Sequence, residues 1–348
     1  MHKPRFDEID FLKAIAILVV ILTHVLSYNL GPSHINIIWN YLHFVVPAFI
    51  FCSGFVTHQK YKDTVWTIDS SWQWFLKRVP RLIFPYYLVV LLHYALWLLF
   101  PTVFSGTGLA KDVGFLLRSV MLIGVDYGWL PLLFIQMMIL TPLYLSAFRK
   151  KSIRLLSLGI SFASTILLLF IRIPLDYRIV MWLPWSFILL LSFAAAEYRS
   201  NKTTLIPTRT MYILGICLSL TLWLFLDALL RFQGRQATLT LHKYPPDLYY
   251  LSYGLGLGSV LLLVENILRS KMNFFRSTLR WLSMYSYELF FAHYLVMDAL
   301  RTFMKSSNTH IPVIAQCALV FFISVEIVHI HTNILKEIPK RHMVQTGK

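Results

Sequence analysis

Long apolar runs dominate this 348-residue chain and restrict what it can fold into. A helix needs about 20 consecutive, mostly apolar residues to cross a bilayer, and ten such runs follow one another along the sequence. They cover residues 9–30, 37–57, 81–100, 129–147, 153–172, 180–198, 211–230, 247–267, 281–300 and 312–335. Charged residues make up only 14% of the chain, about half the share in soluble domains. The sequence therefore predicts an all-α, polytopic membrane protein with about ten transmembrane helices.

Two further segments are expected to touch the membrane without crossing it. The apolar stretch 113–125 is too short to span and is expected to be interfacial or re-entrant. In the loop 58–80 aromatic residues such as Trp66 and Trp72 alternate with polar ones, a pattern typical of a helix lying on the membrane surface. We expect residues 1–348 to form a single membrane domain, with 58–80 as an amphipathic cytoplasmic loop.

The distribution of basic residues predicts that both termini lie in the cytoplasm. With the N-terminus inside, the inner segments hold 22 Lys and Arg and the outer loops hold 9, as the positive-inside rule requires. This bias accounts for the net charge of +16, so no nucleic-acid partner is predicted. The three cysteines lie in apolar runs without CxxC spacing, so neither a disulfide framework nor a metal site is indicated.

Ionisable side chains within a predicted span are costly and are therefore functional candidates. In the first span Lys13 precedes His24 by eleven residues, which is three helical turns, so both lie on one face and about 16 Å apart. Asp10 lies one turn before Lys13 and can pair with it. The alternatives are a core hydrogen bond for His24 and snorkelling of Lys13 to the headgroups.

Arg78 and Arg81 lie three residues apart where the third span begins. Guanidinium groups bind phosphate in a bidentate manner, and a helix N-terminus favours anions. The pair indicates an anion site at the cytoplasmic surface, and the alternative is an ordinary positive-inside cluster.

The ninth span carries Glu288 and His293, and His293 lies at a depth similar to that of His24. Two imidazoles and a carboxylate near one level suggest proton handling. The alternative is structural hydrogen bonding between helices. Asp298, near the outer end of this span, is expected to be solvated.

Three weaker candidates complete the set. Ser53, followed by Gly54, allows a close helix approach or a turn. Trp129 and Tyr244 border outer loops, where such residues are most often interfacial anchors. The outer loops 101–128 and 231–246 are the expected places for selectivity towards an extracellular molecule.

The order of these motifs resembles the acyltransferase family 3 membrane proteins, which O-acylate bacterial surface carbohydrates and related acceptors. The first helix of that family carries an Asp, a basic residue and then a His, and Lys13 here departs from the usual Arg. The matching elements of this chain are Asp10, Lys13 and His24; Ser53-Gly54-Phe55; Arg78, Arg81 and Pro85-Tyr86; Trp129; and Ser286-Tyr287 with His293.

The resemblance implies transfer of an acyl group, expected to be acetyl, from acyl-CoA to a hydroxyl of a surface carbohydrate or lipid-linked glycan. The expected catalytic residues are His24, as general base or acyl relay, with Asp10, His293 and Glu288. The expected acyl-CoA-binding residues are Lys13, Arg78, Arg81 and Ser53. Trp129 and Tyr244 are expected on the acceptor side. No bound cofactor or metal is expected, and the protein is expected among the lipids of a bacterial plasma membrane, acting on the cell envelope.

A transporter or flippase that exports a glycan or a lipid-linked intermediate is the competing interpretation. Ten spans and intramembrane ionisable groups are compatible with transport. No inverted repeat and no pair of interrupted spans at matching positions supports it, and acyl-CoA consumption is the observation that separates the two. A membrane scaffold is the third interpretation, and it gives no use to the ionisable groups.

Overall fold

The computed structural model describes residues 5–101, 113–123, 128–171, 173, 176–200 and 207–345. Within these residues the regular secondary structure is helical. Helices α1 to α15 are Asp7–Ser27, Ser33–Tyr41, Val45–Tyr61, Ile68–Leu76, Val79–Leu99, Val113–Val120, Trp129–Phe148, Lys151–Phe170, Tyr177–Val180, Trp182–Ser200, Thr208–Phe232, Leu248–Leu268, Arg276–Met284, Ser286–Ser306 and Val313–Gln345. The chain is therefore an all-α membrane protein, as the apolar runs predicted.

Nine helical segments of the described chain are long and apolar enough to cross a membrane. They are Asp7–Ser27, Ser33–Tyr61, Ile68–Leu99, Trp129–Phe148, Lys151–Phe170, Tyr177–Ser200, Thr208–Phe232, Leu248–Leu268 and Val313–Asn333. The tenth predicted span corresponds to α14, which has 21 residues and is therefore about 30 Å long. Its polar residues, which include Glu288, His293 and Asp298, lower its hydropathy, and these are the residues with candidate functions.

Helix α1 lies at the centre of the bundle. It contacts α3, α12, α13, α14 and α15, and Ala14, Ala16 and Ile17 are fully buried. By contrast α11 packs mainly on α12 and exposes Leu218 and Phe225. The polar face of α1 is therefore turned into the protein, while α11 supplies an apolar outer surface.

Ion pairs hold the inner end of α1 in place. Asp7 accepts from the guanidinium of Arg280 at 2.9 Å, and Glu8 accepts from Arg269 at 2.7 Å. Because Arg280 belongs to α13 and Arg269 directly follows α12, these bonds tie the start of α1 to two neighbouring elements. The acidic first turn thus positions the helix that carries Lys13 and His24.

Gly54 allows the close contact between α3 and α10. A Cβ atom at this position would lie 2.0 Å from Oγ of Ser192 and 2.8 Å from a methyl group of Leu189. Of the two roles considered for Ser53-Gly54, the structure shows the close helix approach. This contact fixes α3, and with it the orientation of Ser53.

Candidate active site

Helices α1 and α14 bring His24 and His293 into direct contact. Nδ1 of His24 lies 2.7 Å from Nε2 of His293, and the two rings lie edge to edge in nearly parallel planes, with their centroids 5.0 Å apart and an interplanar angle of 8°. His293 is completely buried. The two imidazoles that the sequence placed at similar depth therefore form one hydrogen-bonded pair.

A backbone carbonyl fixes the tautomers of this pair. Nδ1 of His293 lies 3.1 Å from the carbonyl oxygen of Leu289, and because that oxygen can only accept, Nδ1 carries the hydrogen. Nε2 of neutral His293 therefore accepts from Nδ1 of His24. This leaves a lone pair on Nε2 of His24, and the hydroxyl of Tyr294 lies 3.0 Å from it. His24 is thus arranged to accept a proton at Nε2.

His24 lines a cavity of about 340 Å³ towards the end of the bundle that the sequence predicts to face outward. Trp129 and Tyr244, the residues predicted to face the acceptor, line the same cavity, and their rings pack edge to face with centroids 5.1 Å apart. The remaining described residues that line it are Val20, Thr23, Ser27, Tyr28, His43, Val45, Val46, Tyr177, Arg178, Lys243, Phe290 and Tyr294. We refer to this space as the outer cavity.

A second cavity of about 190 Å³ holds Lys13 and Ser53. Its other lining residues are Phe49, Leu82, Leu130, Phe134, Ser286, Tyr287 and Phe290. We call it the inner cavity, since Lys13 lies eleven residues nearer than His24 to the N-terminal end of α1, which the sequence predicts to be cytoplasmic. Phe290 lines both cavities, so the two cavities are adjacent at this ring.

Asp10 is not paired with Lys13, contrary to the prediction. One carboxylate oxygen of Asp10 accepts from Nε of Arg5 at 2.7 Å, and the other accepts from Oγ of Ser283 at 2.7 Å. Arg5 precedes α1, and Ser283 comes from α13, so neither partner was visible from helical spacing. Asp10 therefore joins α1 to α13, while Lys13 extends into the inner cavity.

Arg78 and Arg81 lie where α4 meets α5, outside the inner cavity. Arg78 donates to the hydroxyl of Tyr61 at 2.8 Å and lies over the ring of Trp74 at 4.4 Å, whereas Arg81 is exposed. Leu82, the next residue after Arg81, lines the inner cavity. The two arginines are thus beside that cavity, with Arg78 already held by aromatic rings.

Glu288 does not join the histidine pair. Its Oε2 atom is buried and has no hydrogen-bond partner among the described residues. It precedes His293 by five residues, which rotates it by about 140° around α14. Because the two side chains leave the helix in different directions, Glu288 cannot assist His293 directly in this conformation.

Sequence reasoning missed two buried histidines within the predicted spans. His93 donates from Nε2 to Asp298 at 2.9 Å, so the expectation that Asp298 is solvated was wrong. His43 is buried, lines the outer cavity and has Nδ1 2.8 Å from the carbonyl oxygen of Trp39. Both histidines lie within predicted spans, and the rule that singled out His24 applied to them equally.

Comparison with known proteins gives one match. A family model described as an acyltransferase domain, Acyl_transf_3, matches residues 6–329. No curated protein and no solved structure matches the chain. The matched range includes the histidine pair and both cavities.

Proposed function

The chain belongs to the acyltransferase 3 family and is a multi-pass membrane acyltransferase, and on this basis we propose its donor, acceptor and catalytic base. The donor is acyl-CoA, in the simplest case acetyl-CoA, and the acceptor is a hydroxyl of a carbohydrate or lipid-linked glycan of the cell envelope. The membrane is the plasma membrane of a bacterium. The catalytic base is His24.

One arrangement carries this proposal: Nε2 of His24 keeps a lone pair beside the hydroxyl of Tyr294, and both residues line the outer cavity. A general base must reach the proton that it removes, within about 3 Å. The hydroxyl of Tyr294, at 3.0 Å, shows that a hydroxyl fits at this distance. An acceptor hydroxyl in the outer cavity would take a similar position.

The donor would enter from the cytoplasmic side. Arg78 and Arg81 supply cations for the phosphates of the nucleotide part. An inner cavity of about 190 Å³ is too small for a nucleotide but suits the narrow pantetheine arm. Lys13 and Ser53 line that cavity, and the thioester would pass them to reach Phe290 and His24.

The transfer step follows from this arrangement. As the acceptor oxygen attacks the thioester carbonyl, Nε2 of His24 takes the hydroxyl proton. The tetrahedral intermediate then collapses, the carbon–sulfur bond breaks, and the imidazolium returns the proton to the departing sulfur. Throughout, Nε2 of His293 accepts from Nδ1 of His24 and keeps the base oriented. A covalent acyl relay through the same nitrogen of His24 is the other route, and ping-pong kinetics would identify it.

The family match argues against the transporter interpretation, because the matched family is one of acyltransferases. It gives no reason for a lone pair on His24 to lie beside two cavities that share Phe290. It also predicts that the purified protein leaves acyl-CoA intact.

The test is an acyl-CoA assay with the purified protein in lipid nanodiscs. Release of the CoA thiol from acetyl-CoA is followed with and without an extract of cell-surface glycans. We expect glycan-stimulated release that falls at least a hundredfold in His24→Ala, whereas the exposed His34→Ala control keeps the original rate. Full activity in His24→Ala would refute the role of His24, and no thiol release by the unmodified protein would refute the acyl-CoA donor.

A further inference from the structure

We infer that the acyl acceptor is an anionic carbohydrate whose carboxylate or phosphate group is bound by Lys243, with Arg178 beside it, in the outer cavity. This inference rests on the proposed function, because it assigns the outer cavity to the acceptor. It adds the charge class of the acceptor and the residue that selects it.

Lys243 reaches the cavity from the loop between α11 and α12. Its amine lies 4.9 Å from the ring centroid of Tyr244 and 5.7 Å from that of Trp129. All three residues line the outer cavity together with His24. A ligand bound to the amine would therefore share one space with the catalytic base.

Lys243 has no counter-ion within the described part of the chain. Its amine makes no ion pair with a described carboxylate, and no described residue that lines the outer cavity is acidic. Asp247, the closest acid in sequence, hydrogen-bonds His242 instead. Burial lowers the pKa of Lys243 to about 7, which is expected when a cation loses water and gains no negative partner. An anionic ligand would supply that partner.

Arg178 is a second cation of the outer cavity, and its hydrogen-bond donors are not all satisfied by described residues. Its Nη1 atom donates to the carbonyl oxygen of Ile123 at 3.0 Å, while its Nε atom is buried without a hydrogen-bond partner among the described residues. Arg178 lines the outer cavity as well. Two basic groups around one cavity favour an anion over a neutral ligand, because each unpaired buried donor or charge opposes folding until it is satisfied.

Aromatic rings next to these cations favour a carbohydrate over a small inorganic anion. The ring of Tyr244 lies 5.1 Å from that of Trp129 and 5.0 Å from that of Tyr177, centroid to centroid. Flat aromatic faces such as these pack against the C–H face of a sugar ring. A sugar that carries a carboxylate or phosphate would use both the rings and the cations.

An oxyanion role for Lys243 is the competing interpretation. A cation near His24 could stabilise the tetrahedral intermediate of any acceptor, charged or neutral. That role would change the rate constant for all acceptors equally, whereas ligand selection changes the affinity for charged sugars alone. Equilibrium binding separates the two, since no intermediate forms without acyl-CoA.

The experiment measures binding of three monosaccharide probes to the purified protein by calorimetry. They are methyl β-glucuronide, glucose 1-phosphate and methyl β-glucoside, which carry a carboxylate, a phosphate and no charge. We expect at least one charged probe to bind about ten- to hundredfold more tightly than the neutral one, and the tighter of the two identifies the anion. Lys243→Gln should remove this preference and leave the neutral probe unchanged, while Lys243→Arg should keep it.

Lys305→Gln is the matched control, because Lys305 is an exposed outer lysine and its replacement should change nothing. Equal affinities for charged and neutral probes, or no binding of the charged probes, would overturn the inference. So would a Lys243→Gln variant that retains the preference. Acetyl-CoA turnover with the glycan extract is measured separately, so that continued turnover without anion preference refutes only this inference, and absent turnover refutes the proposed function.

Discussion

Helix α14 contributes one residue to each of two histidine pairs, His24–His293 and His93–Asp298. The pairs differ in whether an imidazole nitrogen keeps a lone pair. His293 bonds to Nδ1 of His24, and Nε2 of His24 then faces the outer cavity. Asp298 bonds to Nε2 of His93, whose Nδ1 lies 3.0 Å from the carbonyl oxygen of Val89. Both nitrogens of His93 are therefore used within the protein. In the first pair Nε2 of His24 keeps a lone pair, and its partner at 3.0 Å is the side-chain hydroxyl of Tyr294 rather than a backbone carbonyl.

The difference shows that a buried imidazole is a candidate base when one of its nitrogens keeps a lone pair that a substrate hydroxyl can reach. A third pair, His242 and Asp247, resembles the His93–Asp298 pair. Nε2 of His242 lies 3.1 Å from the carbonyl oxygen of Gln236, so both ring nitrogens have partners within the protein. Burial opposes protonation there, but the hydrogen bond and charge of Asp247 raise the pKa of His242. Nδ1 of His93 and Nε2 of His242 face carbonyl oxygens, which only accept, so these nitrogens carry hydrogens. Nε2 of His24 instead keeps a lone pair beside the hydroxyl of Tyr294.

The largest expected effect is on the rate of acyl transfer, which should fall far more in a His24 variant than in a His93 variant. Because general base catalysis contributes about a hundred- to ten-thousandfold, His24→Gln should lower the rate by that factor. His93→Gln should lower it less than tenfold. Thiol release from acetyl-CoA with the glycan extract measures both, and equal losses in the two variants would remove the distinction between the pairs.

Replacing His293 tests whether acyl transfer by His24 needs the hydrogen bond between the two histidines. His293→Phe removes the acceptor for Nδ1 of His24, and orienting partners of a functional imidazole contribute about ten- to hundredfold. His293→Gln keeps a side-chain acceptor and should recover part of the rate. The measurement is the ratio of the two rate constants at saturating acetyl-CoA. If Phe and Gln behave alike, His293 does not orient His24 through this hydrogen bond.

Raising the pH from 6 to 8 should weaken the binding of an anionic sugar in the outer cavity by about tenfold. The pKa of Lys243 is lowered by burial to about 7, so the amine is mostly charged at pH 6 and mostly neutral at pH 8. Affinity for methyl β-glucuronide should therefore fall between these values, while that for methyl β-glucoside stays level. The other titratable or charged groups facing this cavity are His24, His43, Arg178, Tyr28, Tyr177, Tyr244 and Tyr294.

Lys243→Arg isolates the contribution of Lys243, because arginine stays charged over this range. A flat affinity profile in this variant assigns the pH dependence to Lys243. A profile unchanged from that of the unmodified protein assigns it to another group of the cavity and contradicts the prediction.

Substitutions in the His93–Asp298 pair should lower the stability of the protein and should hardly change the rate of acyl transfer. Asp298→Asn should change the transfer rate less than threefold, yet replacing one partner of a buried hydrogen-bonded pair lowers the free energy of unfolding by about 1–3 kcal/mol. The double variant His93→Phe with Asp298→Leu should recover much of the stability. Thermal unfolding in nanodiscs measures this, and a large loss of rate with unchanged stability would make the pair functional.

Much of the site was predictable because helical spacing is fixed. The eleven residues between Lys13 and His24 placed both on one face of α1, and the structure puts them in two cavities that share Phe290. The same spacing misled for Asp10, which was expected to pair with Lys13 and instead bonds to Arg5 and Ser283. Spacing determines which residues share a face, and partners from other elements determine how each is used.

Lys243 illustrates what could not be predicted. It lies in an outer loop that the sequence associated with selectivity, but its contact with the cavity of His24 depends on the fold of the residues that join α11 to α12. Loop backbones follow no fixed period, so no spacing rule places such a side chain. Parts of the other predicted selectivity loop, residues 102–112 and 124–127, lie outside the described residues.

The sequence alone determined that this chain is a bundle of membrane helices, because a span in lipid must satisfy its backbone hydrogen bonds internally and therefore shows as a long apolar run. It also determined the polar face of α1. Only the tertiary structure decided that His24 meets His293, 269 residues away, and that Nε2 of His24 keeps a lone pair beside a side-chain hydroxyl while both nitrogens of His93 face oxygen acceptors. The physical reason is that hydrogen-bond partners between helices depend on packing and rotation, which no local pattern encodes.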